Sequence, residues 1–281
     1  FGNACKQFGQ TYLNPGLVDS ISGLSKINEL IMINQDTVGT SARSNPASYM
    51  KIYDDIRSII SKVSESKSQG LKPGDFSFNT DGGRCDDCKG DGKKIVEMQF
   101  LSDLEVVCDS CNGKRFNNNI LKIKFQGKNI NEILDLTTDE AIVFFQNHNK
   151  IVRKLKILSS VGLGYLSLGQ PTNTLSGGES QRIKIAKSLL AKNTKNVLYI
   201  LDEPSIGLHV DDLRNLIQTF EFLVGSGNTL LIIEHNIDII KIADYIIDIG
   251  PGGGNKGGKI IASGTIKEVM KNNSSIIKNY L

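Results

Sequence analysis

Apolar positions along the chain fall into two rhythms. Ile52, Ile56, Ile59, Ile60 and Val63 recur at helical spacing, so one face of that segment is expected to be buried. Thr137 with Glu140 three residues on is a capping box ahead of Ala141, Ile142, Phe144 and Phe145, and a second helix is predicted over Ile151 to Val161. From Leu175 onward short apolar runs alternate with helical stretches. The runs are Val197 to Leu201, Thr229 to Ile233 and Tyr245 to Ile249, and Leu30 to Ile33 is an earlier strand candidate. Helices are expected over Glu179 to Ala191, Asp211 to Val224 and Ile237 to Ala243, and a further capping box, Thr265 with Glu268, opens a last short one. Strands separated by helices of this length predict an α/β fold with a largely parallel sheet covered by helices.

Between these regions the pattern changes. The polar run Ser64 to Gln69 leads to Gly70 and Pro73-Gly74, a clear break. Beyond it Gly82, Gly83, Gly90, Gly92 and Gly113 punctuate short β-type runs at Ile95 to Leu101, Leu104 to Val107 and Ile120 to Phe125. The expected organisation is a first part over 1–80, a small inserted module over 81–125 and a second α/β part over 126–281. At 281 residues, 39% hydrophobic and 22% charged, the chain can bury a sizeable core and has the composition of a globular protein. Its longest apolar stretches, such as Leu230 to Ile233, fall far short of the roughly 20 residues of a membrane helix, so no helical membrane span is expected. The net charge of +3 is too mild to argue for nucleic acid by itself. The chain opens Phe1-Gly2-Asn3, without Met or a secretion signal, and is expected to be a piece of a longer cytoplasmic polypeptide.

Four of the five cysteines form two pairs, Cys85-x-x-Cys88 and Cys108-x-x-Cys111, nineteen residues apart. Two thiolates on each of two tight turns complete a tetrahedral zinc site, and four sulfur ligands leave no position for substrate, so the metal is structural. The spacing leaves two other readings open: four reduced core cysteines, or an iron–sulfur cluster. Cys5 reads as an unpaired thiol. Leu175-Ser176-Gly177-Gly178-Glu179 precedes an amphipathic helix and offers bare N–H groups, a hydroxyl and the positive end of a helix dipole to a phosphate; a plain loop feeding a helix is the alternative. The strand Val197 to Leu201 ends in Asp202-Glu203-Pro204, where Asp202 suits Mg²⁺ and Glu203 suits orienting or deprotonating a water, or both simply form a solvated acidic strand end. Thr229 to Ile233 ends in Glu234-His235 and delivers a second polar group to the same edge, with a structural role for the histidine equally open.

Taken together and in this order, with Asp202 26 residues after Ser176 and His235 32 residues after Glu203, these segments resemble the ATP-binding cassette (ABC) ATPases. The zinc module, Asn34-Gln35, Gly39 through Tyr49, Lys72-Pro73-Gly74-x-Phe76-Ser77-Phe78-Asn79 and Leu168-Gly169-Gln170 narrow the resemblance to the UvrA family, the damage-recognition ATPases of the bacterial excinuclease. It runs from about Leu30 to the end of the chain. The resemblance implies an ABC ATPase lobe with a helical signature region and an inserted four-cysteine zinc module. It implies that Gln35 links Mg²⁺ and the attacking water to the inserted region, and that Ser176, Gly177 and Gly178 contact the γ-phosphate of a nucleotide held by an opposing cassette. Asp202 becomes the Mg²⁺-associated carboxylate, Glu203 the catalytic base and His235 a γ-phosphate contact. Ser205 to His209 becomes the loop crossing between cassettes, with His209 where many ABC proteins carry Asp. Arg84, Lys89, Lys93, Lys94, Lys114 and Arg115 become candidates for DNA phosphates, each of them equally readable as part of a solvated basic face. Implied with these are structural zinc, ATP with Mg²⁺, damaged double-stranded DNA, the repair partner UvrB (met through a preceding part of the polypeptide), a homodimer and a place in the SOS response.

One departure stands out. No complete Gly-x-x-x-x-Gly-Lys-[Ser/Thr] occurs; the nearest run, Gly253 through Gly258-Lys259, continues with Ile260 where a hydroxyl is needed. The resemblance therefore implies the C-terminal part of a UvrA-like protein, most of a second cassette without its phosphate-cradling loop, inactive or very weak by itself. The competing expectations are a nonenzymatic zinc-containing DNA-binding or scaffold fragment, and a drug-resistance paralogue of the same family.

Overall fold

In this computed structural model the described residues are 2–9, 16–39, 41, 43–96, 98, 104–190, 195–254 and 257–281. In chain order the elements are α1 (Gly2–Gln7), β1 (Glu29–Ile33), α2 (Pro46–Tyr49), α3 (Tyr53–Ile60), α4 (Ser64–Ser68), β2 (Lys93–Val96) and β3 (Leu104–Val107). Then come α5 (Asn118–Lys122), α6 (Ile130–Leu134), α7 (Thr138–Phe144), α8 (Asn149–Ser160), α9 (Gly177–Leu190), β4 (Val197–Asp202) and α10 (Val210–Gly225). The last are β5 (Thr229–Ile233), α11 (Ile237–Lys241), β6 (Ile246–Gly250), β7 (Lys259–Gly264) and α12 (Ile266–Lys271). The fold class expected from the sequence, α/β with an inserted four-cysteine module, is the one observed.

The main sheet has the order β1-β4-β5, all parallel, with Ile33 opposite Leu201 and Asp202 opposite Ile233. Alternation along β4 sends Val197, Tyr199 and Leu201 into the large core, where they meet Ile183, Ile185 and Ala186 of α9 and Leu216 and Phe220 of α10. The opposite face carries Leu30, Leu198 and Ile200, packed with Ala4 and Cys5 of α1, so the Cys5 thiol is a core group. Because the strands are parallel, their carboxyl ends share one edge, and that edge collects Gln35, Asp202, Glu203, Glu234 and His235.

Several helix starts follow the predicted chemistry. Thr137 accepts from the Glu140 N–H while Glu140 accepts from the Thr137 N–H, and the Thr265 and Glu268 pair repeats the box. Ile56 and Ile60 of α3 are buried as expected, and Asp55 ties α3 to α8 through Lys150 at 2.6 Å and Lys154 at 2.7 Å.

Two expectations differ from the structure. The run Ile120 to Phe125, expected as a strand, begins within α5: the Asn117 side chain accepts from the Ile120 N–H and starts a helix that sinks Ile120 into the core. The run at 245–249, read as part of the parallel succession, gives β6, which pairs antiparallel with β7 in a separate two-stranded sheet. The glycine-rich segment before Lys259 reverses the chain between them, so the incomplete P-loop-like run is a hairpin connection; its residues 255 and 256 lie outside the described residues. Of the run 95–101, β2 covers the start, while residues 97 and 99–101 lie outside the description, as do Thr40, Ala42 and Ala191.

The four-cysteine region joins the rest through an aromatic seam. Tyr53 stacks on Phe78 at 4.9 Å between ring centroids, Phe78 meets Phe116 edge-on at 6.2 Å, and the Tyr53 hydroxyl donates to the Phe76 carbonyl at 2.6 Å. Among the described residues no helix is long and apolar enough to cross a membrane.

Candidate functional site

At the carboxyl end of β4, Glu203 adopts a left-handed backbone with φ of 46°, uncommon for a residue with a side chain. Its N–H donates to the Ile233 carbonyl at 2.9 Å, which holds the turn against the end of β5. In that pose Glu203 Oε1 stands 3.1 Å from His235 Nε2, with the histidine 84% exposed and the carboxylate 34% exposed. The observed strain coincides with a contact that joins the ends of two neighbouring strands through a carboxylate and an imidazole. Glu234 fastens both loops. Its Oε1 accepts from the Ser205 N–H at 2.9 Å, and its Oε2 accepts from the His235 and Asn236 N–H groups at 2.8 and 3.0 Å.

The Ser176-Gly177-Gly178 turn lies between two other loops of the same chain. A Cβ on Gly177 would stand 3.1 Å from Gln35 Oε1, and one on Gly178 would stand 2.7 Å from the Ile206 carbonyl oxygen. Gly178 is thus required by close approach to the Ile206 backbone, independently of any ligand, whereas a side chain at Gly177 would press on the Gln35 side chain, which would have to give by a few tenths of an ångström. The structure brings Gln35 to Gly177 and Glu203 to His235. At the start of α9 the Glu179 N–H donates to the Ser176 hydroxyl at 3.2 Å and the Ser180 N–H to the Ser176 carbonyl at 2.9 Å.

Three residues around this edge escaped the sequence reading. Gln181 is fully buried and its Nε2 donates to the Ile33 carbonyl at 3.1 Å and to the Asp202 carbonyl at 2.7 Å, bridging the ends of β1 and β4. Lys184 Nζ donates to the Asn34 carbonyl at 3.1 Å and to Asn34 Oδ1 at 2.7 Å; burial pushes its pKa down, opposed by Asp36. Arg182 is almost wholly buried, with Nη1 3.4 Å from the Ile206 carbonyl. The available signal was their position: Gly177, Gln181 and Lys184 fall at i, i+4 and i+7, on one helix face.

The four cysteines meet in one cluster whose sulfur atoms all lie within 4.8 Å of one another. Cys85 and Cys108 sulfurs are 4.0 Å apart and Cys88 and Cys111 sulfurs 3.6 Å apart. A tetrahedron with zinc–sulfur bonds of about 2.3 Å has edges of about 3.8 Å, so the donor set fits a tetrahedral metal. The two turns repeat one design: Lys89-Gly90 and Asn112-Gly113 are successive left-handed residues, with φ of 49° and 89° and of 48° and 77°. The Gly92 N–H donates to Cys88 Sγ at 3.2 Å, and the Cys108 N–H to the Gly92 carbonyl at 3.0 Å, which hold the two turns together.

The six basic candidates are placed differently. Arg84 pairs with Asp81 at 2.5 Å, Lys93 with Glu105 at 2.8 Å and Lys94 with Asp87 at 3.5 Å. Arg115 lies over the Phe78 ring at 5.6 Å, part of the seam beneath the module. Lys89 and Lys114 are exposed and form no ion pair among the described residues. His209 is exposed, and Nδ1 stands 3.8 Å from Asp211.

No protein-family model matches the chain. Among curated proteins it is 51% identical over 276 residues to UvrABC system protein A of Clostridium acetobutylicum, covering 98% of this chain and 29% of that protein. It is 52% identical over 276 residues to the protein of that name from Clostridium tetani, again 98% and 29%. It is 51% identical over 274 residues to the one from Aquifex aeolicus, covering 98% and 30%. Among solved structures, UvrA2 from Deinococcus radiodurans superposes with a TM-score of 0.84 at 41% identity, over 92% of this chain and 32% of that one. The chain therefore spans about three-tenths of the length of the relatives it matches. Over nearly its whole length, it belongs to the family of UvrABC system protein A.

Proposed function

We propose that this chain is the signature-bearing and catalytic-carboxylate part of a DNA-repair ABC ATPase that recognises damaged duplex DNA and loads UvrB. The observation that carries the reading is the edge of the parallel sheet, where Glu203 meets His235 at 3.1 Å and Gln35 lies against Gly177. In this reading residues 1–80 and 126–281 form one ATPase lobe, 81–125 form the zinc module, and the intact protein works as a dimer in the cytoplasm.

Bound ATP with Mg²⁺ supplies the γ-phosphoryl group and the charge to be neutralised. The residues of this chain position and exclude. Asp202 offers a carboxylate to the metal, and Gln35 sits where it couples that edge to the signature turn. Glu203 orients a water and accepts its proton, with His235 Nε2 within hydrogen-bonding reach of the same carboxylate. Ser176, Gly177 and Gly178 meet the phosphate of a nucleotide whose cradle lies on another cassette, as the head-to-tail cassette pairing implied by the resemblance requires, while Glu203 and His235 serve the site whose P-loop sequence this chain does not contain. Zinc in the Cys85, Cys88, Cys108 and Cys111 site fixes the module, and Lys89 and Lys114 are the cations left available to DNA phosphates.

The test is ATP hydrolysis with Mg²⁺, with and without damaged duplex, beside a Glu203→Gln control. The chain alone is expected to give no turnover above the control, and a UvrA-length protein carrying it to give turnover that Glu203→Gln abolishes. Turnover indifferent to Glu203→Gln would refute the assignment. A second reading, a nonenzymatic zinc-containing DNA-binding module, draws on the missing P-loop sequence; zinc-dependent duplex binding unchanged by Glu203→Gln and by ATP favours it.

A further inference from the structure

The Ser176 hydroxyl already has a partner. It donates to Glu179 Oε2 at 2.9 Å and accepts from the Glu179 N–H at 3.2 Å, while the Ser176 N–H donates to the same Oε2 at 2.7 Å. These contacts form a capping box, which glutamine would make equally well. The other oxygen of that carboxylate is also engaged. Glu179 Oε1 accepts from the Tyr165 hydroxyl at 2.6 Å, although Tyr165 comes from the loop after α8 and is 56% exposed. Capping needs no such second anchor. Arg182 stands beside the turn, 2% exposed, with an Nε that has no hydrogen-bond partner among the described residues and an Nη1 3.2 Å from where a Cβ on Gly178 would stand.

A helix N-terminus favours an anion in its first turn. At α9 that place is taken by a carboxylate of the helix itself. Burial pulls the Glu179 pKa up, but the hydrogen bonds from Tyr165 and Ser176, together with the positive charge of Arg182, outweigh it and hold the group below its ordinary value, so it is charged at neutral pH. Any phosphate arriving at Ser176, Gly177 and Gly178 meets this charge and must take the serine hydroxyl from it.

Resting on the reading of Ser176, Gly177 and Gly178 as γ-phosphate contacts, we propose that Glu179 and Tyr165 are positioning residues that set the turn's affinity for phosphate. Glu179 holds the Ser176 hydroxyl until a phosphate takes it over. Tyr165, by donating to Oε1, orients the carboxylate and reduces the charge the phosphate must overcome. The turn is thereby kept closed by an internal anion and opens to an external one.

The experiment titrates the ¹⁵N-labelled chain with inorganic phosphate at neutral pH and follows the Gly177 and Gly178 amide resonances. Glu179→Gln, which keeps the capping box and loses the charge, is expected to bind phosphate about two- to fivefold more tightly. Tyr165→Phe is expected to bind more weakly by a similar factor, and to add nothing in the Glu179→Gln background. No phosphate response at the two glycines, a Glu179→Gln affinity equal to or below the parent, or a Tyr165→Phe effect that persists without the Glu179 charge overturns the proposal. Should Glu179→Gln also lower the melting temperature, the Tyr165→Phe affinity decides. The two failures are read separately: no response at the glycines removes the phosphate-contact reading on which the latch rests, whereas a response whose affinity is unchanged by Glu179→Gln and Tyr165→Phe removes the latch alone.

Discussion

Replacing Gln181 by Leu isolates the contact that ties together the carboxyl ends of β1 and β4. The residue is fully buried, and its Nε2 donates to the last carbonyl of β1, Ile33, at 3.1 Å and to the last of β4, Asp202, at 2.7 Å. Leucine fills nearly the same volume but leaves both strand-end acceptors without that donor, at about 1 to 3 kcal/mol each. The Gln181 Oε1 is itself buried without a partner among the described residues, and removing it returns about 1 to 2 kcal/mol. The expected net loss is about 2 to 3 kcal/mol, which at roughly 2 to 4 °C per kcal/mol lowers the melting temperature by roughly 4 to 12 °C. Urea denaturation followed by far-UV circular dichroism, with the slope unchanged, gives the number directly. Gln181→Glu is expected to be worse than the leucine variant, because a carboxylate accepts only and would face two carbonyl oxygens. A loss under about 0.5 kcal/mol, or a glutamate variant more stable than the leucine one, would refute the bridging role.

Other expectations follow from the same geometry. The Asp55 carboxyl is raised by burial but lowered more by Lys150 and Lys154, so its native pKa lies below the ordinary value. Its contribution is then complete above the unfolded carboxylate range and lost as pH falls through the lowered native value; Asp55→Asn should cost about 1 to 3 kcal/mol at neutral pH and flatten the acid limb of a stability–pH curve. Stripping metal with a chelator, or replacing Cys85 and Cys88 together, should raise hydrogen exchange across 85–111 while β4 keeps its protection; exchange rising equally in both would contradict a locally held module. A Cβ on Gly83 would lie 1.7 Å from the Asp75 carbonyl oxygen, whereas nothing lies within 4 Å of one on Gly74. Gly83→Ala should therefore lower the thermal midpoint by several degrees and Gly74→Ala by none, and equal midpoints would show that the Asp75 backbone yields freely.

Residue pattern alone carried most of the architecture. The strands and helices after Leu175, the Thr137 and Thr265 capping boxes and the paired cysteines are local signals, set by periodicity, by side chains reaching three residues along the backbone, or by ligand spacing. The misread run at Ile120 shows the limit of such signals. A short apolar stretch suits strand and helix equally, and Asn117 capping the Ile120 N–H, together with burial of Ile120 in the large core, settled it.

What only the tertiary structure decided is where side chains from distant strands meet. That Glu203 and His235 touch depends on β4 and β5 being parallel neighbours, a pairing that neither strand's sequence encodes alone. The roles of Gln181, Lys184 and Glu234 depend on backbone groups of other loops, and a backbone carbonyl carries no sequence signal. Chain order fixed which residues reach the edge of the sheet; packing fixed which of them can act on one another, because hydrogen bonds operate over about 3 Å and sequence separation says nothing about that distance.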